Sequence, residues 1–461
     1  MRYISTRGQF GSASFSEAVL SGLSRDGGLF VPENLPDFST RLDTLKCLNY
    51  QELAFEVMFP FTSGEFTEEK FKKIITKSYS KFEHQEITPL KFLKDKTILE
   101  LFHGPTLAFK DIALQFLGNI FEELLSKTKR EMNIIGATSG DTGSAAIQGV
   151  RGKKGIRIFM LHPAGRVSPI QEKQMTTVLD KNVHNIAIKG SFDDAQRIVK
   201  EIFSDLQFRD KHNLGAVNSI NWTRIMAQIV YYFYAAFQFE KYHPGKPLFF
   251  SVPTGNFGDI FAGYLASQMG LPIRKLILAT NENNILSRMI ESGIYKVSKV
   301  VPTLSPSMDI QISSNFERLL FDLLNRDSGQ LVAKMDSLAK TGSFDISNVQ
   351  LSKLQKIFSG VTINTEQTIE CIRNISKQDE IIDPHTAVGI AAATQETCEN
   401  VICLATAHPA KFGDAVNQAI NLKPNIPASL KGILQKEFRC IDASADTKII
   451  KAIMEKEIGR P

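Results

Sequence analysis

From about residue 97 onward, short apolar or β-branched runs alternate with stretches of helical periodicity, and no other feature constrains the fold as much. The spacing predicts strands over 132–136, 156–161, 183–188, 248–252, 276–279 and 401–405. Between them it predicts helices over 111–125, 142–150, 193–203, 222–239, 259–269 and 387–394. Such alternation implies an α/β fold in which parallel-rich sheets are covered on both faces. The first 95 or so residues lack this rhythm and read as turns with two amphipathic helices, 49–59 and 67–82. Residues 305–360 break it again with helical runs over 315–324 and 330–338, read as a helical insertion. The stretch after Lys423 reads as helical.

Composition narrows the function. A chain of 461 residues suits roughly two to four domains. Lys and Arg number 54 against 49 Asp and Glu, and a net +5 over this length argues against nucleic-acid or membrane partners. The five cysteines are scattered, odd in number and form no CxxC, which argues against a disulfide framework or a metal site. The most apolar segment, 225–239, contains Gln228 and Gln238 and falls short of the ~18 apolar residues of a membrane helix. MRYISTRGQF has no apolar core after its charges and so does not read as a signal peptide. The expectation is a soluble, cytoplasmic enzyme with a cleft between domains.

In open parallel sheets, ligands sit beyond the carboxyl ends of strands. Ser251-Val-Pro-Thr-Gly-Asn-Phe-Gly-Asp259 runs from a strand into a helix, and Gly255 and Gly258 let backbone amides approach a ligand. This describes a phosphate cradle, or else a tight turn with glycines for packing. Gly136-Ala-Thr-Ser-Gly-Asp-Thr-Gly143 makes the same transition, with Ser139, Asp141 and Thr142 suited to a carboxylate or phosphate, or to a plain helix cap. Lys110 lies among Leu107, Ala108, Phe109, Ile112 and Ala113. An apolar setting lowers a lysine's pKa and fits it for Schiff-base chemistry, although a snorkelling surface lysine has the same local sequence. Asn218, Ser219 and Arg224 offer amide, hydroxyl and guanidinium donors to an anion, with Arg224 expected one to two turns into its helix. Thr406 ends an apolar strand, with His408 and Lys411 beyond it. Two anion loops, a shielded lysine and an arginine clamp together describe a pyridoxal phosphate site acting on an anionic amino acid.

The motifs also resemble a known family. HGPTLAFKD (103–111), SGDTGSAA (139–146), PTGNFGD (253–259), SPSMDIQISSNFERLLF (305–321), DPHTAVG (383–389) and the strand ending in LATAHPAKF are similar to segments of threonine synthase. YISTRG (3–8) and DGGLFVPENLP (26–36) resemble that family's N-terminal region, so the likeness spans nearly the whole chain. The resemblance implies a fold-type II pyridoxal phosphate enzyme of the microbial and fungal subtype. It implies an N-terminal domain over 1–95 and two α/β units over 96–235 and 236–461, the second carrying the insertion near 305–360. Lys110 would hold pyridoxal 5'-phosphate covalently and move protons. Gly255, Asn256, Phe257 and Gly258 would cradle its phosphate, and Thr406 would face the pyridine nitrogen. Ser139, Asp141 and Thr142 would line the substrate carboxylate and the ring oxygen, where relatives carry asparagine in place of Asp141. Asn218, Ser219 and Arg224 would bind the substrate phosphate. The implied reaction converts O-phospho-L-homoserine and water to L-threonine and phosphate, in a monomer without a metal. A phospholyase that releases 2-oxobutyrate and ammonia from the same substrate is the alternative on the same scaffold. A noncatalytic cofactor-binding protein is a third, disfavoured by the presence of Lys110 and all the loops.

Overall fold

Two separate sheets form from the alternating elements. The computed structural model describes residues 1–94, 96–396 and 398–459; the expected boundary residue Asp95 lies outside them. One sheet has six strands in the order Phe358–Thr362, Ile273–Thr280, Leu248–Pro253, Val401–Ala405, Thr97–Glu100 and Leu90–Phe92. Its pairs are parallel except the last, which is antiparallel. The other has five parallel strands in the order Ile441–Ser444, Val183–Lys189, Ile156–Pro163, Met132–Ala137 and Leu214–Gly215. The chain therefore passes from the larger sheet to the smaller, back, and at its end across once more.

All six predicted strands and all six predicted helices of this region are present within a few residues of their expected limits. Two expectations need correction. The stretch after Lys423 is not helical throughout: Ile441–Ser444 is a strand, and only Thr447–Ile458 is an α-helix. Residues 441–444 alternate apolar and polar, and that period of two buries Ala443 against the neighbouring strand. The region 305–360 also holds more than two helices. Beyond Phe316–Leu323 and Ser328–Thr341 it contains Asn348–Ile357, opened by a capping box between Ser347 and Gln350, and the edge strand Phe358–Thr362.

The helix Trp222–Tyr242 lies at the centre of the molecule, buried on nearly every face, which accounts for its apolar sequence. Among the described residues no helix is long and apolar enough to cross a membrane. The N-terminal region packs on this helix. Its two predicted helices are Tyr50–Met58, capped by Asn49, and Glu68–Tyr79, capped by Thr67. The Tyr50 ring meets Tyr234 edge-on at 5.3 Å, and Trp222 is gripped by Tyr3 and Phe61 at 6.0 and 5.6 Å. Buried aromatic contacts of this kind contribute on the order of 1 kcal/mol each beyond the apolar area they cover. The N-terminal region is thereby fixed against the helix whose first turn carries Arg224.

Candidate active site

Lys110 opens the helix Lys110–Thr128, and the loop before it is laced to the end of strand Val401–Ala405. Phe109 N donates to Thr406 O (2.8 Å), His408 N donates to Leu107 O (3.1 Å), and Ala108 bridges Ala407. Thr106 donates to the Asp111 carboxylate through both N (2.7 Å) and Oγ1 (2.8 Å), closing the turn from the other side. Leu107 adopts a φ of +58°, a left-handed conformation that a leucine holds only where its surroundings enforce it. These ties bury Lys110 and set Thr406, also buried, beside the same loop. Burial lowers the affinity of the Lys110 amine for a proton; Asp141 opposes the change, while Lys411 and Arg224 reinforce it.

Asp141 is the hub of the site. It begins the helix Asp141–Val150, after a turn in which Thr138 Oγ1 accepts from Gly140 N and Gly143 N, both at 2.9 Å. Asp141 Oδ1 receives Lys411 Nζ at 2.7 Å and Gln171 Nε2 at 2.7 Å. Its Oδ2 lies 3.4 Å from Lys110 Nζ and 3.5 Å from Ser307 Oγ. Burial alone would raise this carboxyl, but the Lys411 and Lys110 charges hold it well below the usual carboxylate range. Gly140 has a φ of +139°, and a Cβ there would lie 2.5 Å from Gln171 Oε1, so only glycine lets Gln171 reach the aspartate. Ser139 and Thr142 flank the hub, both half-buried.

The Gly255–Gly258 loop follows strand Leu248–Pro253 and enters the helix Gly258–Gln268. Its carbonyls are tied down: Gly255 O accepts from Ser313 Oγ (2.8 Å), and Asn256 O accepts from Asn315 N (3.1 Å) and Asn315 Nδ2 (3.0 Å). None of the amides of residues 255–258 donates to a protein acceptor among the described residues. Phe257 sits at a φ of +64°, pinned by ring contacts with Phe316, Phe261 and Phe358. A left-handed phenylalanine costs on the order of 1 kcal/mol, strain that here shapes a turn of free amides.

Arg224 lies in the first turn of its helix, not one to two turns in, because the helix starts at Trp222 under the Asn221 cap. Arg224 is 5% exposed, yet among the described residues its guanidinium makes no hydrogen bond and no ion pair; its Nε is unpartnered. Burial without a counter-ion draws its pKa down to about 10. Ser219 lies nearby in the chain, with Oγ 3.4 Å from Ser314 Oγ, and Ser219 O accepts from Asn315 Nδ2 at 3.1 Å. Asn218 is exposed and uses its Oδ1 to cap Ile220 N at 3.4 Å, so it stands at the rim. Asn315 thus ties the Ser219 loop to the Asn256 loop, and Arg318 holds Asn315 Oδ1, Ile220 O and Phe30 O from a fully buried position.

Sequence reasoning gave no role to the framework around the named residues. Lys411, Ser307, Asn315 and Arg318 lie within motifs already singled out and Gln171 lies outside them, but most of their partners are distant in the chain. Ser307 links both halves: Oγ reaches Asp141, N donates to His385 Nε2 (3.3 Å), and its carbonyl lies under Gly255. Asp383 accepts from His385 Nδ1 at 2.6 Å, which leaves Nε2 as the acceptor for Ser307.

The arrangement fits pyridoxal phosphate. A buried amine of weakened basicity suits the aldehyde, a helix-start turn of unpaired amides suits the phosphate, and the Thr406 hydroxyl, which donates to no protein acceptor among the described residues, suits the ring nitrogen. Comparison with known proteins agrees. Family models match residues 2–79 (threonine synthase N terminus), 92–339 (pyridoxal-phosphate dependent enzyme) and 386–454 (threonine synthase, C-terminal). The threonine synthase of Pseudomonas aeruginosa is 49% identical, covering 100% of this chain and 99% of that one. The chain belongs to the threonine synthase family. The threonine synthase of Saccharomyces cerevisiae is 46% identical over 97% of this chain and 96% of its own. A human protein called threonine synthase-like 2 is 36% identical, covering 95% and 93%. Among solved structures, a PLP-bound threonine synthase from Brucella melitensis superposes with a TM-score of 0.96 at 45% identity over 100% of both chains. The fold is the fold-type II pyridoxal phosphate architecture with the N-terminal domain of the threonine synthase family, and pyridoxal phosphate is its cofactor.

Proposed function

We propose that this chain is a threonine synthase that converts O-phospho-L-homoserine and water to L-threonine and phosphate. The observation that carries this substrate is Arg224: a buried arginine without a protein counter-ion among the described residues, five positions after Ser219 and close enough to Lys110 to affect its charge. A buried cation of this kind is stabilised by an anionic ligand.

Pyridoxal phosphate, when bound, supplies the electron sink for carbanion chemistry at the amino acid. Lys110 would hold it, the amides of Gly255, Asn256, Phe257 and Gly258 would take its phosphate, and the Thr406 hydroxyl would serve its ring nitrogen, with Asp141 beside the Lys110 amine. Ser139 and Thr142 receive the substrate carboxylate. Arg224 and Ser219, with Asn218 at the rim, receive the substrate phosphate and its charge as it leaves the γ carbon. The Lys110 amine, its basicity depressed by burial, takes the α proton of the substrate; a β proton is lost as the C–O bond to phosphate breaks at the γ carbon, and the γ carbon then takes up a proton. Water adds its hydroxyl at the β carbon and the α carbon is reprotonated, giving threonine. The N-terminal region, held to Ile220 and Asn315 through Phe30 and Arg318, keeps the phosphate end of the site rigid. We divide the chain into units near 1–95, 96–235 and 236–461, interlocked by the strands that cross between sheets.

The test is product analysis with cofactor-loaded protein and O-phospho-L-homoserine. Threonine equal to phosphate is expected. Phosphate with 2-oxobutyrate would make the chain a phospholyase, and no phosphate at all would overturn the reading of Arg224.

A further inference from the structure

The molecule buries a second lysine beside Lys110. Lys411 Nζ is fully buried, 2.7 Å from Asp141 Oδ1 and 2.8 Å from Thr106 O. Asp141 thereby divides its two oxygens. Oδ1 is saturated by Lys411 and by Gln171 Nε2, whose amide is itself fixed because Gln171 Oε1 accepts from Ser168 Oγ at 2.9 Å. Oδ2 is left toward Lys110 Nζ, at 3.4 Å, and Ser307 Oγ. Thr106 O, the other anchor of Lys411, also accepts from Gln174 Nε2 at 3.1 Å, so the lysine is held from both sides of the Lys110 loop.

This geometry resolves a conflict. A lone carboxylate beside Lys110 in a buried site would form a strong ion pair and keep the amine protonated, the wrong state for a group that must bond an aldehyde and take up a proton. Loss of the carboxylate would leave two buried lysine charges repelling each other. Sharing Asp141 between two lysines makes it a weak counter-ion for each.

We propose that Lys411 is a positioning residue that, by holding Asp141 Oδ1 together with Gln171, keeps the aspartate ionised and aimed at Lys110 while relieving Lys110 of a full salt bridge. The proposal rests on Lys110 being the cofactor lysine. Charged groups around the pair act in known directions. Arg224 and Lys411 disfavour charge on Lys110, Asp141 favours it, Asp259 lies within electrostatic reach of Lys110, and His385 does so of Asp141.

The experiment is a pH titration of the visible absorption of the cofactor-loaded protein, in wild type and in Lys411→Met, Lys411→Arg, Asp141→Asn and the double variant Lys411→Met/Asp141→Asn. Removing the Lys411 cation favours the protonated Lys110 nitrogen, so the midpoint of Lys411→Met moves up by about one pH unit. Removing the Asp141 anion moves it down by a similar amount, and the double variant returns toward wild type. Lys411→Arg, which keeps the charge, stays near wild type. The pH dependence of Lys110 modification by an amine-reactive reagent in cofactor-free protein provides the same comparison where a variant binds cofactor poorly. Borohydride reduction and peptide mapping first locate the cofactor. Cofactor on Lys411 would overturn the Lys110 reading itself. Cofactor on Lys110 with midpoints that do not move, or that move the same way in both single variants, would overturn the positioning role alone.

Discussion

Two loops leave the carboxyl ends of parallel strands and enter helices, and each buries an aspartate in the first helical turn: Asp141 after Gly140, Asp259 after Gly258. Their charges are managed in opposite ways. Asp141 is surrounded by Lys411, Lys110 and Gln171, and the lysines hold it ionised despite burial. Among the described residues the Asp259 carboxylate accepts only from the hydroxyls of Tyr231 and Tyr232, and burial raises its carboxyl to about 6. Both are buried; the partners decide the direction of the pKa shift. The difference suits what each loop would hold. A carboxylate beside an amine can direct a proton, whereas a raised pKa lets the carboxyl at the start of the helix that receives a phosphate take up a proton more readily. The first loop works through side chains and the second through backbone amides, with its carbonyls tied away.

The contrast can be broken at its strongest point by Asp141→Leu. Removing the carboxylate leaves buried lysines unpaired and should cost about 3–5 kcal/mol in denaturant unfolding; a loss under about 1 kcal/mol would mean that the charges relax into solvent. Phe257→Gly relieves about 1 kcal/mol of backbone strain but deletes a ring packed on three others, for a net loss of about 2–4 kcal/mol. A gain in stability would show that strain outweighs packing there.

The pH dependence sharpens the comparison next. Asp259, raised in the folded state from 3.8 to about 6, contributes stability that is full below pH 4 and lost as pH rises through 6. Between pH 4 and pH 8, Asp259→Asn should therefore gain up to about 2–3 kcal/mol relative to wild type. Asp141 runs the other way: its contribution is present above the ordinary carboxylate range and is lost as pH falls below about 4, so Asp141→Asn should lose less than wild type on acidification. Parallel curves for the two variants would refute the assignment of opposite pKa shifts. The smallest effect is expected from Gly255→Ala, whose Cβ would meet Ser307 O at 2.8 Å. Stability should fall by about 1 kcal/mol and cofactor affinity by roughly tenfold, read by titration of cofactor into the stripped protein.

Much of this was legible in the chain itself. The strands and helices that frame both loops announce themselves by short apolar runs and by periodic helices, and Lys110, Gly255 and Gly258 sit in motifs that couple small residues to strand ends. Thr97–Glu100, Phe358–Thr362 and Ile441–Ser444 were not legible, being short and mixed in polarity and made strands only by neighbours far away in sequence. Lys411 was seen only as a residue beyond Thr406, for a related reason. Its partners, Thr106 and Asp141, lie roughly 300 and 270 residues earlier, and nothing local marks its burial. Arg224 was read as an anion ligand, and its place in the first turn follows from the helix start at 222 that the spacing predicts.

The last strand, Ile441–Ser444, completes the smaller sheet by pairing with Val183–Lys189, about 250 residues upstream. A ribosome adding 5–20 residues per second would leave the exposed apolar edge of 183–189 waiting roughly 10–50 s for its partner. An unpaired edge of this length recruits other chains. Newly made protein should therefore be most vulnerable to aggregation in the interval just before its final residues emerge, and chains cut short of residue 441 should remain in that state permanently.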